Sequence, residues 1–383
     1  MDNEPYIVFG SPLIGRGEID AVVRTLESAW IGTGPRVQEL QTAMAAYTGA
    51  AHTQAVSSCT AALHLSMLAA GIGPGDEVIT TDMTFCATAN SIVHTGATPV
   101  LVDCQRDTMN IDPAAVEAAI TPRTKAIVPV HFAGRPVDIE AIGAIARKHG
   151  LLVIEDAAHA IAASWHGRKI GSISDLTCFS FYVTKNMTTG EGGMVTTNRP
   201  ELAEKIRVLG LHGMSADAWS RFSDKGYRHY DVIYPGFKYN LTDIAATLGL
   251  EQLRHLDEWQ QRREALWQRY DQAFADLPVV LAPPPAPGTV HARHLYVLLL
   301  RDDAPCSRES LMAGLHELRI GSAVHYRPLH VQPWYRERFK LRDEQFPNAH
   351  WIGERTVSLP FSPKLGERDI ERIISGVRQL LGS

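Results

Sequence analysis

Short apolar runs alternate with helical patterns between about residues 50 and 200. Segments with helical spacing of apolar positions, such as 60–71 and 137–150, separate runs that have the length and the β-branched or aromatic character of strands. This alternation predicts a mostly parallel sheet covered by helices on both faces. The predicted strands are residues 77–82, 98–104, 125–132, 151–156, 176–182 and 193–198.

The last third of the chain has a different pattern. A long helical segment rich in Leu, Gln, Arg and Glu runs from about residue 241 to 277. The proline cluster that follows, at 281–293, predicts an irregular linker, because proline cannot continue a helix. Beyond it, the pattern predicts a strand at 294–300, a helix at 307–321 and a strand at 357–361.

These patterns divide the chain into two predicted domains. A large α/β domain covers residues 1–250, and a linking helix with a small α+β domain covers 251–383. The 383 residues, 45% of them hydrophobic and 21% charged, are enough for two globular cores. The net charge of −5 lacks the basic footprint of a protein that binds nucleic acid or an anionic membrane surface.

Targeting and redox features are few. The N-terminus has no apolar run after a positive region, so we expect no signal peptide, and no apolar stretch is long enough to span a membrane. The cysteines are odd in number and have no CxxC spacing, which predicts reduced thiols in a cytoplasmic protein and no metal site. They are Cys59, Cys86, Cys104, Cys178 and Cys306.

One lysine stands at an unusual place. In FSFYVTKNMTTGEGG (179–193), Lys185 follows a predicted buried strand and precedes a glycine-rich loop. A lone lysine is most often a solvated surface group. Loss of solvent, however, lowers the pKa of an ammonium group, which prepares the amine to act as a nucleophile or to form a Schiff base.

Two further segments place polar groups where an open α/β sheet binds ligands, at the carboxyl ends of strands. SSCTAALHLSMLAAG (57–71) opens a helix whose free N–H groups suit a phosphate, although on this stretch alone a simple helix cap by Ser58 or Thr60 is the commoner role. Asp156 follows four apolar strand residues, so it should be buried and needs a partner. That partner could be a protonated ring nitrogen, a cation in a salt bridge, or the start of the next helix.

Neighbouring residues complete this picture. Strand alternation sends Glu155 to the opposite face from Asp156, where we expect a structural role. His159 lies three residues beyond Asp156, so a helical turn would bring both to one side, although a lone histidine is more often a satisfied core group. Ser180 precedes the lysine by five residues. Phe85 follows the strand at 77–82 and could stack on a ring or simply fill the core.

A phosphate cup, a buried aspartate and a desolvated lysine together match the needs of pyridoxal phosphate. The lysine would form the Schiff base, and the aspartate would keep the pyridine nitrogen protonated, so that the ring acts as an electron sink. The indication comes from the joint occurrence of these residues.

The same segments carry a family resemblance. FSFYVTKNMTTGEGG, EDAAHA, SSCTAAL, TFCATAN, WIGTGP and GFKYNLTDIAATLGLEQL resemble, in order, the signature segments of the DegT/DnrJ/EryC-type sugar aminotransferases. These are fold-type I pyridoxal-phosphate enzymes that aminate keto groups on nucleotide-linked sugars. The resemblance runs from about residue 10 to the end and implies a mostly parallel, seven-stranded sheet with a small C-terminal domain. KYNLTD and HYRPLHVQPWYRERF (325–339) are most similar to enzymes acting on UDP-linked 4-keto sugars, including the 4-amino-arabinose aminotransferase.

The resemblance implies roles for individual residues. Lys185 would carry the cofactor as a Schiff base and shuttle protons, and Asp156 would bind the pyridine nitrogen. His159 stands where the family often has glutamine and would hydrogen-bond the cofactor's 3′-oxygen, a contact that a histidine makes responsive to pH. The remaining implied contacts are Phe85 and Ala158 on the two ring faces, and Cys59, Thr60 and Ser180 at the phosphate.

The resemblance also implies a homodimer with shared active sites. The partner subunit of the family sends an asparagine to the phosphate from a segment usually written GYNYR. Here the segment is GFKYN (236–240), with Lys238 in the asparagine's place and Asn240 in the arginine's, so either residue could reach the phosphate.

The sugar-nucleotide site is implied by other residues. Arg327 would suit a diphosphate as a bidentate donor, and the segment from Trp30 to Pro35 would shape the sugar pocket. The alternatives are ordinary surface polarity for the residues of 325–330, which is disfavoured only for His330, and a helix end and a turn for Trp30 to Pro35. The predicted substrate contacts are Trp30, Thr33, His325, Arg327 and His330.

The expected reaction moves an amino group from L-glutamate, through pyridoxamine phosphate, to a keto group of a nucleotide-linked sugar, at C4 in the most similar subgroup. A related sugar dehydratase is disfavoured because it has histidine where this chain has Lys185. An aminotransferase that acts on a keto-inositol and a non-catalytic sensor or scaffold remain alternatives. A nicotinamide dehydrogenase is disfavoured because no G-x-G-x-x-G follows the first strand.

Overall fold

A computed structural model describes residues 4–215 and 229–382. Its centre is a seven-stranded sheet with the order β1-β9-β8-β5-β4-β2-β3. β9 runs antiparallel to both of its neighbours, and all the other adjacent pairs are parallel, as the sequence predicted. β6 and β7 form a separate two-stranded hairpin. The strands are β1 (His52–Val56), β2 (Glu77–Thr81), β3 (Thr98–Val102), β4 (Thr124–Val128), β5 (Leu152–Asp156), β6 (Ser164–Trp165), β7 (Arg168–Lys169), β8 (Leu176–Ser180) and β9 (Gly193–Thr197).

Helices cover both faces of this sheet, and the apolar residues form a core on each face. The helix at 137–150 begins and ends where its sequence predicts: Asp138 caps its start, and Gly150 ends it in the left-handed conformation, with φ of 66°. The helices of this part are α1 (Arg16–Glu27), α2 (Pro35–Thr48), α3 (Cys59–Ala69), α4 (Cys86–His94), α5 (Pro113–Ala118), α6 (Ile139–His149) and α7 (Pro200–Leu209).

The C-terminal part is built on α8 (Asp243–Phe274) and a three-stranded antiparallel sheet with the order β10-β11-β12. The first half of α8 contributes to the core of the large part, and its second half belongs to the core of the small part. The predicted division at residue 250 stays a prediction, because one continuous helix crosses it. The other elements are β10 (Val279–Val280), β11 (Tyr296–Leu300), α9 (Arg308–Glu317), α10 (Pro333–Phe339), α11 (Pro347–Arg355), β12 (Thr356–Leu359) and α12 (Glu367–Leu381).

The observed elements differ from the predictions mainly at their ends. The strand predicted over 125–132 stops at Val128, because Pro129 has no N–H to donate and a 3₁₀ turn follows at Phe132–Gly134. The proline-rich segment 281–293 has neither helix nor strand, as predicted. In the described part of the chain, no helix combines the length and the apolar character that crossing a membrane requires.

Candidate active site

A cavity of about 460 Å³ opens at the carboxyl ends of β5 and β8 and at the N-termini of α3 and α4. Residues from the small part, His325 and Tyr326, close one side of it. The cavity therefore lies where an open α/β sheet is expected to bind its ligand. It is lined by Ser58, Cys59, Thr60, Leu63, Thr84, Phe85, Ala87, Val130, Asp156, Ala158, His159, Ser180, Tyr182, Thr184, Lys185, Glu191, Gly192, His325 and Tyr326.

Lys185 lies in a turn directly after β8, and its amide N–H donates to the carbonyl of Tyr182 at 2.9 Å. Burial lowers the pKa of its ammonium group to about 8, although the nearby Asp156 carboxylate opposes that shift. The Cys59 thiol is also close, but burial raises its own pKa well above the usual value, so it stays neutral. Lys185 is therefore a desolvated amine with a sizeable neutral fraction near neutral pH, as the sequence predicted.

Asp156 ends β5 with its carboxylate buried in the same cavity. Thr88 donates its hydroxyl to Oδ2 at 2.7 Å, and the backbone N–H of Ala158 donates to Oδ1 at 3.1 Å. Burial raises the pKa of this carboxyl, while the two hydrogen bonds lower it. Among the described side chains no salt-bridge partner is within reach, so the carboxylate is free to meet a protonated nitrogen of a ligand.

The start of α3 forms a polar cup at the other end of the cavity. Ser58 caps the helix by accepting from the N–H of Ala61 at 3.1 Å, and Cys59 and Thr60 are the first helical residues. Gly193 of β9 lies so close to this turn that a Cβ on it would come within 2.5 Å of the Ser58 carbonyl carbon. Ser180, at the end of β8, lines the same cavity. The cap predicted as the structural alternative is present, and it shapes a helix N-terminus that is suited to a phosphate.

Phe85 and Ala158 both line the cavity, Phe85 from the segment before α4 and Ala158 from the turn after β5. Phe85 is the residue before α4 and is 57% exposed, so it is not a core aromatic. Its ring lies 6.0 Å from the ring of Tyr326. The placement agrees with the predicted contacts on the two faces of a flat ring, which stay a prediction for this chain.

His159 lies in the turn after β5, on the same side as Asp156, without the helical turn that was expected. Its Nε2 is 3.1 Å from the hydroxyl of Tyr326, and its buried Nδ1 has no hydrogen-bond partner. Burial, and then the charge of Lys185, hold the pKa of this imidazole well below 6.5. The ring therefore stays neutral near neutral pH, so the expected pH response of this contact stays a prediction and would lie at lower pH. The orphaned Nδ1 supports a contact with a ligand oxygen.

Glu155 lies on the face opposite to Asp156 and has the structural role that was predicted. Its carboxylate is fully buried and lies 2.7 Å from His131 Nε2, and it accepts from the Thr177 hydroxyl at 3.1 Å. His131 Nδ1 accepts the N–H of Val137 at 3.1 Å, so the ring proton is on Nε2 and points at Glu155. The adjacent strands that carry Asp156 and Ser180 are thereby tied together.

Only one of the three predicted contacts from 325–330 lines the cavity. His325 does so, with its Nδ1 2.8 Å from the hydroxyl of Ser358. Arg327 is exposed, and its guanidinium lies 3.4 Å from the carbonyl of Val331 outside the cavity. His330 is fully buried against Asp82, 2.5 Å from the carboxylate, and does not line the cavity. The structure therefore gives His330 a position that joins two segments rather than a substrate contact.

Four other predicted residues lie outside the cavity of their own chain. Trp30 is 50% exposed, and its indole N–H donates to the carbonyl of Thr33 at 3.3 Å. The Thr33 hydroxyl donates to the carbonyl of Leu241 and accepts from the Asn240 amide at 2.6 Å. Lys238 is exposed on the same segment. The WIGTGP and GFKYN segments are thus bonded to each other, which the sequence did not suggest.

Several cavity residues were missed in the sequence. Thr84 lines the cavity, and its hydroxyl lies 2.8 Å from that of Thr88, which is fully buried and reaches Asp156. That i, i+4 spacing beside Phe85 was the available sign. Tyr326 comes from the small part, more than a hundred residues along the chain from any strand of the large sheet, so spacing gave no sign of it. The other missed lining residues are Leu63, Ala87, Val130, Tyr182, Thr184 and Glu191.

A desolvated lysine, a buried carboxylate and a helix N-terminus around one cavity fit pyridoxal phosphate. Lys185 would hold its carbonyl carbon, Asp156 its ring nitrogen and the N-terminus of α3 its phosphate. The orphaned His159 Nδ1 is in place for a further polar atom of such a ring. The fold and the site together define a fold-type I aminotransferase that depends on pyridoxal phosphate.

Comparisons with known proteins place the chain within this class. It belongs to the DegT/DnrJ/EryC1/StrS aminotransferase family, whose model matches residues 12–378. It is 50% identical over 378 residues to the spore coat polysaccharide biosynthesis protein SpsC of Bacillus subtilis, covering 98% of this chain and 97% of that protein. It is 45% identical to the uncharacterised protein MJ1066 of Methanocaldococcus jannaschii, covering 100% of this chain and 99% of that protein.

Solved structures of similar proteins share the fold of this chain, and some of them contain the cofactor that its site fits. The pyridoxal-phosphate form of a putative sugar aminotransferase, Spr1654 of Streptococcus pneumoniae, has a TM-score of 0.91 and 34% identity, covering 98% of both chains. A pyridoxamine-phosphate form of it matches equally well. Helicobacter pylori PseC, an aminotransferase of pseudoaminic acid biosynthesis, has a TM-score of 0.90 and 30% identity, covering 98% of this chain and 99% of that chain. The comparisons support a sugar aminotransferase whose cofactor cycles between the pyridoxal and pyridoxamine forms.

Proposed function

We propose that this protein moves the amino group of L-glutamate to a keto group, at C4, of a nucleotide-linked sugar. The observation that carries the proposal is the meeting of Lys185 and Asp156 in one cavity with the N-terminus of α3. The likeness to a spore coat polysaccharide protein and to an aminotransferase of pseudoaminic acid biosynthesis supports a sugar as the amino acceptor.

When it is bound, pyridoxal phosphate supplies an electron sink that stabilises negative charge at the carbon that loses a proton. Lys185 is the base that can take this proton and return it, because its amine lines the cavity and its pKa of about 8 leaves both protonation states populated. The same amine serves both halves of the reaction, so donor and acceptor use the cavity in turn.

The other cavity residues would hold and orient the cofactor ring. Asp156, fixed by Thr88 and the N–H of Ala158, presents a carboxylate to a protonated ring nitrogen. Burial raises the pKa of the Tyr326 phenol, so it keeps its proton and can donate it to His159 Nε2. His159 would then carry its own proton on Nδ1, where it can donate to a ring oxygen.

A second copy of the chain is part of the proposal. Phe85 and Tyr182 line the cavity and are 57% and 44% exposed, which leaves aromatic surface at its rim. Asn240 already donates its amide to Thr33, whereas the Lys238 side chain is exposed. We therefore assign to Lys238 the contact with the phosphate in the partner subunit's cavity.

Lys238→Ala tests this assignment through cofactor affinity. We expect Lys238→Ala to release pyridoxal phosphate more readily than the wild type, because a charged phosphate contact is lost, and Asn240→Ala to change mainly stability. Equilibrium dialysis against the cofactor measures the first effect, and urea unfolding the second. If Lys238→Ala holds the cofactor as tightly as the wild type does, the assignment is wrong.

The absorbance spectrum of the purified protein tests the main proposal. L-glutamate should convert the visible band of the bound cofactor to the near-ultraviolet band of its pyridoxamine form, and Lys185→Ala should abolish that conversion. The converted sample is then mixed with UDP-linked 4-keto sugars, with other keto sugar nucleotides and with keto-inositols. Return of the visible band only with keto-inositols would replace the sugar proposal, and absence of any band after adding pyridoxal phosphate would refute both.

A further inference from the structure

A second cluster of ionisable side chains lies in the C-terminal part, outside the cofactor cavity. His330 Nε2 is 3.2 Å from His350 Nδ1 and 3.7 Å from Asp343 Oδ1. All three atoms lie within 4.8 Å of one another. We propose that His330, Asp343 and His350 bind a divalent transition-metal ion of the zinc class. This site is independent of the proposed function, and the sequence did not predict it, because its ligands have no regular spacing.

The separations fit one small ion. Nitrogen and oxygen ligands at the usual zinc distances of about 2.0–2.2 Å, arranged tetrahedrally, lie roughly 3.3–3.6 Å from one another. The two separations from His330 Nε2, 3.2 and 3.7 Å, lie on either side of this range. Two histidines and one carboxylate leave a fourth position for water, and this set of ligands favours zinc, cobalt or nickel over calcium or magnesium.

Both histidines have a carboxylate on the ring nitrogen that faces away from the site. His330 Nδ1 lies 2.5 Å from Asp82 Oδ2, and the backbone N–H of His330 donates to Asp82 Oδ1 at 2.7 Å. His350 Nε2 lies 3.5 Å from Glu354 Oε1. A carboxylate on the outer nitrogen fixes the proton there and leaves the inner nitrogen with its lone pair, the arrangement that metal-binding histidines use.

The third ligand is a buried oxygen without a hydrogen bond. Asp343 Oδ1 is inaccessible to solvent and has no hydrogen-bond partner. The Arg336 guanidinium lies 3.1 Å from it, so it competes with a metal for this carboxylate. Arg336 is 49% exposed and can turn outward when an ion binds. Removing Arg336 should therefore strengthen metal binding.

The position of the site indicates what an ion would do. Asp82 directly precedes the Met83–Phe85 segment, whose Thr84 and Phe85 line the cofactor cavity. It accepts the N–H groups of Leu329 and His330 through its carbonyl and its carboxylate. An ion would fix the 3₁₀ turn Leu329–Val331 and α11 together, and would hold the segment that carries Phe85.

Metal binding to the holoenzyme tests the proposal. Protein treated with EDTA and then dialysed is titrated with Zn²⁺ by calorimetry and with Co²⁺ by visible absorbance. We expect one ion per chain, with a cobalt band of a four-coordinate site that lacks thiolate ligands. His350→Gln and Asp343→Asn should each weaken binding at least tenfold, Glu354→Gln should weaken it about tenfold, and Arg336→Gln should strengthen it.

The matched control is His255→Gln, which removes a half-exposed helix histidine that lies 3.9 Å from the carboxylate of Glu258. It should bind like the wild type. Zn²⁺ should also raise the unfolding temperature of the wild type and of His255→Gln, but not that of His350→Gln. The proposal is overturned if the wild type binds no ion, or if His350→Gln and Asp343→Asn bind it as tightly as the wild type.

Discussion

Lys185 owes its expected reactivity to its loss of solvent. Burial lowers the pKa of its ammonium group to about 8, so the neutral amine, which is the form that attacks a carbonyl, increases as the pH rises toward 8. We expect the rate at which the cofactor-free enzyme binds pyridoxal phosphate to rise about tenfold per pH unit below 8 and to level off above it. Stopped-flow absorbance between pH 6.5 and 9.5 measures this rate.

A free lysine analogue, measured in parallel with the same cofactor stock, is the control, since its amine should go on gaining reactivity to about pH 10.4. An enzyme profile that matches the free amine would show that burial does not tune Lys185.

Thr88 is the residue whose effect on the active site is simplest to isolate. It donates its hydroxyl to Asp156 Oδ2 at 2.7 Å inside the protein. Thr88→Val keeps the shape and removes this donor. A hydrogen bond to a charged group is worth about 1.5 kcal/mol, so we expect kcat/KM to fall about tenfold with little change in fold. Steady-state kinetics and circular dichroism measure the two effects.

Thr95→Val is the matched control for Thr88→Val, because Thr95 is a buried threonine at the end of the same helix and its hydroxyl donates to the carbonyl of Ile92 at 2.8 Å, away from Asp156. Equal losses of activity in the two variants would mean that Thr88 acts only through the stability of α4.

At the scale of elements, α2 begins on a buried carboxylate that is distant in sequence. Asp243, the first residue of α8, is fully buried and accepts the N–H groups of Gly34, Arg36 and Val37 at 2.8–3.1 Å. A negative charge at a helix N-terminus is favourable, and three backbone donors, one of them buried and two half-buried, depend on it. We expect Asp243→Ala to lower the free energy of unfolding by about 2–4 kcal/mol, measured by urea denaturation.

Asp138→Ala provides the comparison, since Asp138 caps α6 through one exposed hydrogen bond, to the N–H of Ala141. Asp138→Ala should lower the free energy of unfolding by about 1 kcal/mol. Should Asp243→Ala cost no more than Asp138→Ala, the carboxylate does not support α2 in the way described.

Part of the fold could be predicted from the sequence, and part could not. The buried strands β2, β4 and β8 were found from their apolar runs, because burial on both faces leaves a continuous pattern. β1 was missed because HTQAV is largely polar and lies at the edge of the sheet. α1 was missed because apolar residues such as Ile19 and Val23 are nearly half exposed, so its pattern does not indicate a core-facing helix.

The same distinction applies to the site. Lys185 and Asp156 follow directly on buried strands, so local pattern and general chemistry were enough to single them out. His330 was assigned to substrate from its segment alone, whereas its partner Asp82 lies 248 residues away. Tyr326 was missed for the same reason, since its contact with His159 spans 167 residues. Contacts between the two parts of the chain leave no local pattern.

At the scale of the whole molecule, the cofactor cavity is where the large and small parts meet. Tyr326 of the small part bonds to His159 of the large part at 3.1 Å beside the expected place of the cofactor ring. A cofactor that touches both parts binds only the folded molecule, so it should raise the unfolding temperature of the whole. We expect Tyr326→Phe to reduce the difference in unfolding temperature between the holoenzyme and the cofactor-free enzyme, because His159 loses the group that fixes its proton.

Tyr335→Phe separates this effect from a general loss of contact between the parts. Tyr335 is also a buried tyrosine of the small part, and its hydroxyl donates to the Asn90 amide oxygen at 2.5 Å and lies 3.3 Å from the carbonyl of Cys86 in the large part, outside the cavity. Its loss should lower the unfolding temperature equally with and without the cofactor. Calorimetry on the holoenzyme and the cofactor-free form of each variant measures these unfolding temperatures. If Tyr326→Phe keeps the full difference between the two forms, the contact between His159 and Tyr326 contributes nothing to holding the ring.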